Sequence, residues 1–220
     1  MILAEYVNHM GDDLTVVNSA RVSFDKESEW DFVKKKLLME KDQKLITYLA
    51  NHQHFTPFTH PQITLRETVP VFVARQRFKH VVGFTYNEVS RRYVDTAPEL
   101  YFPEEWRKRP SGSIKQGSGD VVQHSMYVSD IYEKAAYFAL QTYKEMLNVG
   151  VCPEQARMVL PQSMFTSYYV TGSLAAFARA YKQRISPHAQ EEIKALAIQW
   201  DKIISPLFKH SWAALVNPQP

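Results

Sequence analysis

Residues 62–93 read QITLRETVPVFVARQRFKHVVGFTYNEVSRRY, and a change of period inside this stretch sets the fold class. From Gln62 to Val69 the side chains alternate, through Ile63, Leu65 and Glu67, as on a strand. Pro70 follows, and a proline costs little in the first turn of a helix, where its missing N–H has no partner to lose. PVFVARQRFKH is therefore read as a helix joined directly to the strand. Residues 81–94 show no clear period, because Gly83 and Asn87 interrupt it.

Upstream, Ile2 to Val7 alternates as a short strand, and Asp12-Asp13 opens a helix carrying Leu14, Val16 and Val17, since acidic residues favour a helix N-terminus. Helical stretches are expected from about Trp30 to Met39 and from Asp42 onward, with Leu45, Ile46 and Leu49 at helical spacing. Thr56-Pro57-Phe58 ends that pattern. Downstream, residues 106–124 are rich in Gly, Ser and Lys and read as a mobile loop or lid. Met126 to Asn148 is the longest helix, its apolar stripe running through Ile131, Ala135, Phe138, Ala139, Tyr143 and Met146. A short helix from Pro153 through Val159, a strand from Ser163 to Val170, and helices at Ser173–Arg184 and from Pro187 to about Ile204 complete the chain. There are no internal repeats. Helices dominate and do not alternate strictly with strands, which points to α+β or α/β.

Composition narrows the class. Of 220 residues, 45% are hydrophobic and 22% charged, a globular balance that rules out wholesale disorder. The single cysteine, Cys152, excludes an internal disulfide framework and a multi-thiolate metal centre. No apolar run approaches the roughly 20 residues that span a bilayer. MILAEYVNHMGDD lacks the basic and apolar regions of a signal peptide, so a cytoplasmic protein without membrane partners is expected. A net charge of +3 is too small for a nucleic-acid-binding face. Lys34-Lys35-Lys36 and Arg107-Lys108-Arg109 are short clusters, read as solvated faces.

His52, His54 and His60 lie close in sequence, but there is no H-E-x-x-H and no cysteine pair, and no metal site is expected. Cys152 precedes a helix N-terminus, where a thiol pKa can fall; base rates favour instead a buried small apolar residue. With 7 glycines the chain carries no G-x-G-x-x-G or Walker loop. An anionic ligand would have to be held by side chains, drawn from Arg75, Arg77, Lys79, Arg91, Arg92, Arg157, Arg179 and Arg184. Arginine forks match phosphate geometry. Arg157 and Arg184 stand out because apolar residues flank them, and such an arginine either snorkels or meets a buried anion.

Within residues 75–93, Arg75, Gln76, His80, Asn87, Glu88, Ser90, Arg92 and Tyr93 match a pattern R-Q-x-x-R-H-R followed by S-x-N-E-x-S-x-R-Y. In this the chain resembles the flavin-dependent thymidylate synthases, the ThyX family. DDLTVVNSARVSF (12–24), HFTPFTH (54–60), PVFVARQ (70–76) and residues 154–193 resemble the family in the same order. The resemblance implies one catalytic domain over residues 1–220 with a ThyX-like α/β (α+β) fold, a mixed sheet flanked by helices, and active sites at the subunit interfaces of a homotetramer. It implies reductive methylation of dUMP to dTMP, with methylenetetrahydrofolate as one-carbon donor, FAD as cofactor and NADPH as reductant. The family dUMP positions fall on Gln76, Glu88, Ser90, Arg92, Arg157 and Arg184, with Arg184 and Ser90 nearest the chemistry. The flavin positions fall on Ser23, His54, Thr56, Lys79, His80, Ser173 and Arg179. Cys152 matches no catalytic position of the family.

The departures cluster on the flavin side. Lys79-His80-Val81 replaces R-H-R, Thr59 replaces a glutamate, and Ser173, Ala175 and Arg179 replace asparagine, arginine and asparagine. An Arg-to-Lys change loses the bidentate fork, and Arg to Val or Ala loses the charge. Two rivals follow from these changes: an enzyme of the same fold making another modified pyrimidine nucleotide, and a flavin-free dUMP-binding module.

Overall fold

The computed structural model describes residues 1–31, 37–111 and 117–217. The Lys34–Lys36 cluster and the centre of the 106–124 loop lie outside them. In chain order the elements are β1 (Leu3–Met10), α1 (Asp13–Arg21), α2 (Glu40–Asn51), β2 (Gln62–Pro70), α3 (Val71–Arg77), β3 (Phe84–Glu88), α4 (Ser125–Asn148), α5 (Pro153–Ala156), β4 (Phe165–Ser173), α6 (Leu174–Arg184), α7 (Glu191–Ile204) and α8 (Lys209–Val216). Short 3-10 turns stand at Val22–Phe24, Thr56–Thr59 and Arg157–Val159.

The four strands form one sheet in the order β1-β2-β4-β3, and every ladder is antiparallel. The α+β reading therefore holds, while the expected mixed sheet is corrected to an antiparallel one. Three further expectations change. Asp31 and Leu37 pair across an antiparallel bridge, so the ends of the Trp30–Met39 stretch are not helical. Residues 84–88, which have no readable period, form the edge strand β3. The flanks of the 106–124 loop also pair, through an Arg107–Val121 bridge and backbone bonds between Lys108 and Asp120 and between Val122 and Trp106.

Local chemistry fixes the element ends. Asp12 caps α1 in a reciprocal capping box with Thr15. The buried Asp13 carboxylate accepts the backbone N–H groups of His210 and Ser211, each at 2.9 Å, and so anchors the first turn of α8 on α1. Pro70 stands at the N-cap of α3 rather than inside its first turn.

On β2 the buried positions alternate through Ile63, Leu65, Glu67 and Val69, with Pro70 buried at the end, the period of a strand with one face in the core. That face packs with α6, α7, α2 and α8 residues such as Phe177, Trp200, Ile46 and Trp212. Inside this apolar layer sits a fully buried ion pair. Arg77 Nε donates to both Glu67 oxygens at 3.0 and 3.3 Å. Glu67 also accepts from the Tyr168 hydroxyl at 2.6 Å and the Trp200 indole at 2.8 Å. The guanidinium lies 4.4 Å from the Phe84 ring centre and 4.6 Å from that of Trp200. Arg77, one of the anion-binding candidates in the sequence, is thus a core residue.

The stripe on α4 behaves differently from a core face. Tyr143 is buried, but Ile131 and Phe138 are exposed, Phe138 at 72%. No helix among the described residues is long and apolar enough to cross a membrane.

Candidate active site

The C-terminal ends of α3 and α6 bring Gln76, His80 and Arg184 together. Arg184 Nε donates to His80 Nε2 at 2.9 Å, and its terminal nitrogens donate to the Gln76 carbonyl at 3.2 Å and the Gln76 side-chain oxygen at 3.5 Å. The Gln76 amide in turn donates to Gln190. A guanidinium has only donors, so His80 Nε2 must accept and the ring proton sits on Nδ1. Burial, then Arg184, Arg77 and Arg179, lower the His80 pKa to about 4. Burial and the nearby Arg77 also pull Arg184 below its ordinary value. The His80 carbonyl accepts from the Tyr86 hydroxyl at 2.8 Å, and Tyr86 is itself held by Arg77 at 2.7 Å. The buried ion pair therefore supports the site from behind.

A second group forms where β3 leaves the sheet. Glu88 accepts from the Thr166 hydroxyl at 2.7 Å. Ser90 Oγ accepts the backbone N–H of Arg92 at 3.2 Å. Arg92 pairs with Glu154 at 2.7 Å, both side chains being about half exposed, and Arg157 Nε donates to the Glu154 carbonyl at 3.1 Å. Glu154 thus draws Arg92 and Arg157 onto one short helical turn. Arg157 is exposed, so of the two alternatives its apolar neighbours left open it takes the one in which the guanidinium reaches solvent: the 3-10 turn at 157–159 carries it outward. An exposed pair such as Arg92–Glu154 is worth about 0–1 kcal/mol, so either arginine is free to turn to an incoming anion.

The positions assigned to flavin fall into two groups. Ser23, His54 and Thr56 line a cavity of about 700 Å³ with Tyr48 and Phe24. Lys79, exposed, and His80 lie at the end of α3 instead. Arg179 donates to the Val82 carbonyl. Ser173 is buried as the N-cap of α6, its hydroxyl accepting the Ala176 N–H at 3.2 Å.

Cys152 is exposed at the start of the four-residue α5, not a buried apolar residue. Among the described residues no group of three His, Cys, Asp or Glu is placed to hold a metal ion. Sequence reasoning missed Glu154, Thr166, Tyr86 and Gln190. None carried a signal, Glu154 included: its carboxylate pairs with Arg92, 62 residues away, and Arg157 bonds its backbone carbonyl.

Residues 5–208 match the family described as thymidylate synthase complementing protein (Thy1). The chain is 37% identical over 196 residues to a flavin-dependent thymidylate synthase of Thermosipho africanus, covering 87% of this chain and 81% of that one. It is 32% identical over 208 residues to one of Thermus thermophilus, covering 94% and 73%. Among solved structures it is similar to a UMP/dUMP methylase, PolB, of Streptomyces cacaoi bound with 5-Br dUMP. The TM-score is 0.83 at 26% identity, over 97% of this chain and 94% of that one.

Proposed function

We infer the function from a fixed premise: the chain belongs to the thymidylate synthase complementing protein family. It acts as a flavin-dependent thymidylate synthase, a single-domain cytoplasmic enzyme that methylates dUMP to dTMP. Methylenetetrahydrofolate gives the one-carbon unit, NADPH gives the reducing equivalents, and the working form is a homotetramer.

The observation that carries this reading is the state of Arg184. It is half-buried, and its hydrogen-bond partners, His80 Nε2 and two Gln76 oxygens, are neutral acceptors. A desolvated cation oriented by neutral groups keeps its full charge for a ligand anion. On dUMP that anion is the negative charge that grows on the pyrimidine ring as its carbon framework is attacked. His80, kept neutral, orients Arg184 without cancelling it. Arg92 and Arg157 supply two forks for the nucleotide phosphate and sugar side, while the Ser90 hydroxyl can donate near the pyrimidine and the Glu88 carboxylate can accept from the nucleotide.

The side chains also suit a flavin. Ser23, His54 and Thr56 present hydrogen-bonding groups beside the Tyr48 and Phe24 rings in one cavity, and Lys79 and Arg179 are cations suited to its phosphates. Bound FAD supplies the redox chemistry that no side chain here can provide.

Incubation with dUMP, methylenetetrahydrofolate, FAD and NADPH, followed by mass analysis of the nucleotide, tests the reading. The expected product is the nucleotide carrying one added methyl group. An unchanged nucleotide overturns it. A second reading is favoured by the similar methylase, which was solved with both 5-Br dUMP and 5-Br UMP: UMP as an alternative substrate. The same incubation with UMP decides between them, and a hydroxymethyl product would point to a different one-carbon chemistry.

A further inference from the structure

Among the described residues, six buried side-chain atoms lack a hydrogen-bond partner. Three of them, Arg107 Nε, Ser163 Oγ and Glu192 Oε2, belong to residues that line one cavity of about 1020 Å³. Glu192 and Ser163 are more than nine-tenths buried. Folded proteins rarely leave such groups unpaired, because each forfeits its hydration without compensation. Glu192 Oε1 is already taken by Arg107 at 2.6 Å and approached by the Tyr101 hydroxyl at 3.5 Å; Oε2 is the oxygen left over. The three atoms are a donor, a hydroxyl that does either, and an anionic acceptor.

The walls are aromatic and fixed. Tyr101 packs edge-on to Phe72 with ring centres 5.7 Å apart, and Trp106 to Tyr132 at 5.1 Å. The Trp106 indole is held by Ser129 at 2.9 Å and the Tyr132 hydroxyl by the Tyr101 carbonyl at 2.6 Å. Their polar ends are therefore satisfied, and what they offer the cavity is flat apolar surface. At the rim stand two exposed cations, Lys108 and Arg109, against one exposed carboxylate, Glu105.

We infer that this cavity binds a planar nitrogen heterocycle with an N–H edge and an anionic tail. The ring lies between the aromatic pairs, its N–H edge on Glu192 Oε2 and a ring carbonyl on Ser163 and Arg107, with the tail at Lys108 and Arg109. Purine nucleotides and folates share this chemistry, and the two are separable by experiment. A purine nucleotide here goes beyond the proposed function, whereas a folate rests on it, methylenetetrahydrofolate being its one-carbon donor. It touches the Arg184 cluster through Gln190, which lines the cavity and bonds Gln76.

Calorimetric titration of the purified full-length protein, with dUMP in excess throughout, tests the assignment without using turnover. One arm uses GMP and the other folic acid. Binding in either arm, weakened at least tenfold both in Ser163→Ala and in the rim variant K108E/R109E, is the expected result, and the arm that responds names the source. Among the described residues, the side chains removed by these substitutions bond to no other element. Binding in neither arm overturns the proposal, as does binding of equal strength in the wild type and both variants. Excess dUMP keeps the nucleotide probe from the Arg92–Arg157 forks. If dUMP does not bind this protein at all, its own titration shows that, and the variant comparison still decides the cavity.

Discussion

His80 and Arg184 constrain each other, and both effects are measurable. Native His80 resists protonation down to about pH 4, whereas in the unfolded chain a histidine titrates near 6.5. Below about 6.5 the unfolded state takes up a proton that the native state refuses, so stability is fully present above 6.5 and is lost as pH falls toward 4. Denaturant unfolding followed from pH 7 to 4 should show this decline, and His80→Gln should flatten it; an identical slope in the variant would show that other groups carry it. Arg184→Lys tests the chemistry instead. A lysine keeps the charge but loses the planar fork that bridges His80 and Gln76, so turnover should fall at least tenfold while the fold is unchanged. Near wild-type turnover would remove Arg184 from the pyrimidine end of the site. Arg157→Ala should weaken dUMP binding by about 1.5–3 kcal/mol, the scale of a hydrogen bond to a charged group, read by calorimetry. The smaller end applies because Arg157 is exposed in the chain itself.

Between elements, the Glu67–Arg77 pair ties β2 to α3, and Tyr86 carries that tie to β3 and the His80 backbone. Arg77→Met removes one partner of a buried pair and leaves Glu67 uncompensated, at a cost of about 3–5 kcal/mol. Adding Glu67→Gln should recover much of it, because the neutral amide oxygen still accepts from the Trp200 indole while its NH2 can donate to the Tyr168 hydroxyl, which turns to accept. If the double variant is no more stable than the single one in urea, the charge pair is not what holds these elements. Gly172 sets a different constraint: a Cβ there would stand 2.3 Å from the Phe84 ring, directly across the β3–β4 ladder. These features also show what the sequence made legible. β2, α1, α2, α4 and α6 follow from period and capping residues, because one face of each is uniform. β3 does not, since Gly83 and Asn87 mask its alternation and its partner β4 lies almost eighty residues away. The ion pair was hidden too: Glu67 alternates with Ile63 and Leu65, yet only the fold shows Arg77 beneath it. For the site, Gln76 and Arg184 were legible through the family pattern. Their link through His80 and Gln190 was not, because it depends on how the ends of α3 and α6 meet.

Across the whole molecule, two observations converge on assembly. The outer side of α4 exposes Met126, Tyr127, Ile131, Tyr137 and Phe138, a concentration of large apolar side chains that single surface residues do not explain and that marks an interaction face. Separately, the positions expected to hold flavin fall into two groups: Ser23, His54 and Thr56 line one cavity, whose lining does not include Lys79, His80 or Arg179. If a cofactor draws the two groups from different copies of the chain, it binds only the assembled form. Flavin binding and assembly should then be thermodynamically linked, since a ligand that binds only the oligomer shifts the association equilibrium toward it. Phe138→Asp places a charge on the exposed α4 face without touching either flavin group, and Phe138 is not part of the buried core. Light scattering should show its mass falling below that of the wild type, and the flavin absorbance retained after gel filtration should fall with it. Raising the FAD concentration should restore part of the mass. A variant that scatters as a monomer yet keeps the wild-type flavin content would show that one chain suffices, and would return the cofactor to the Ser23–His54–Thr56 cavity alone.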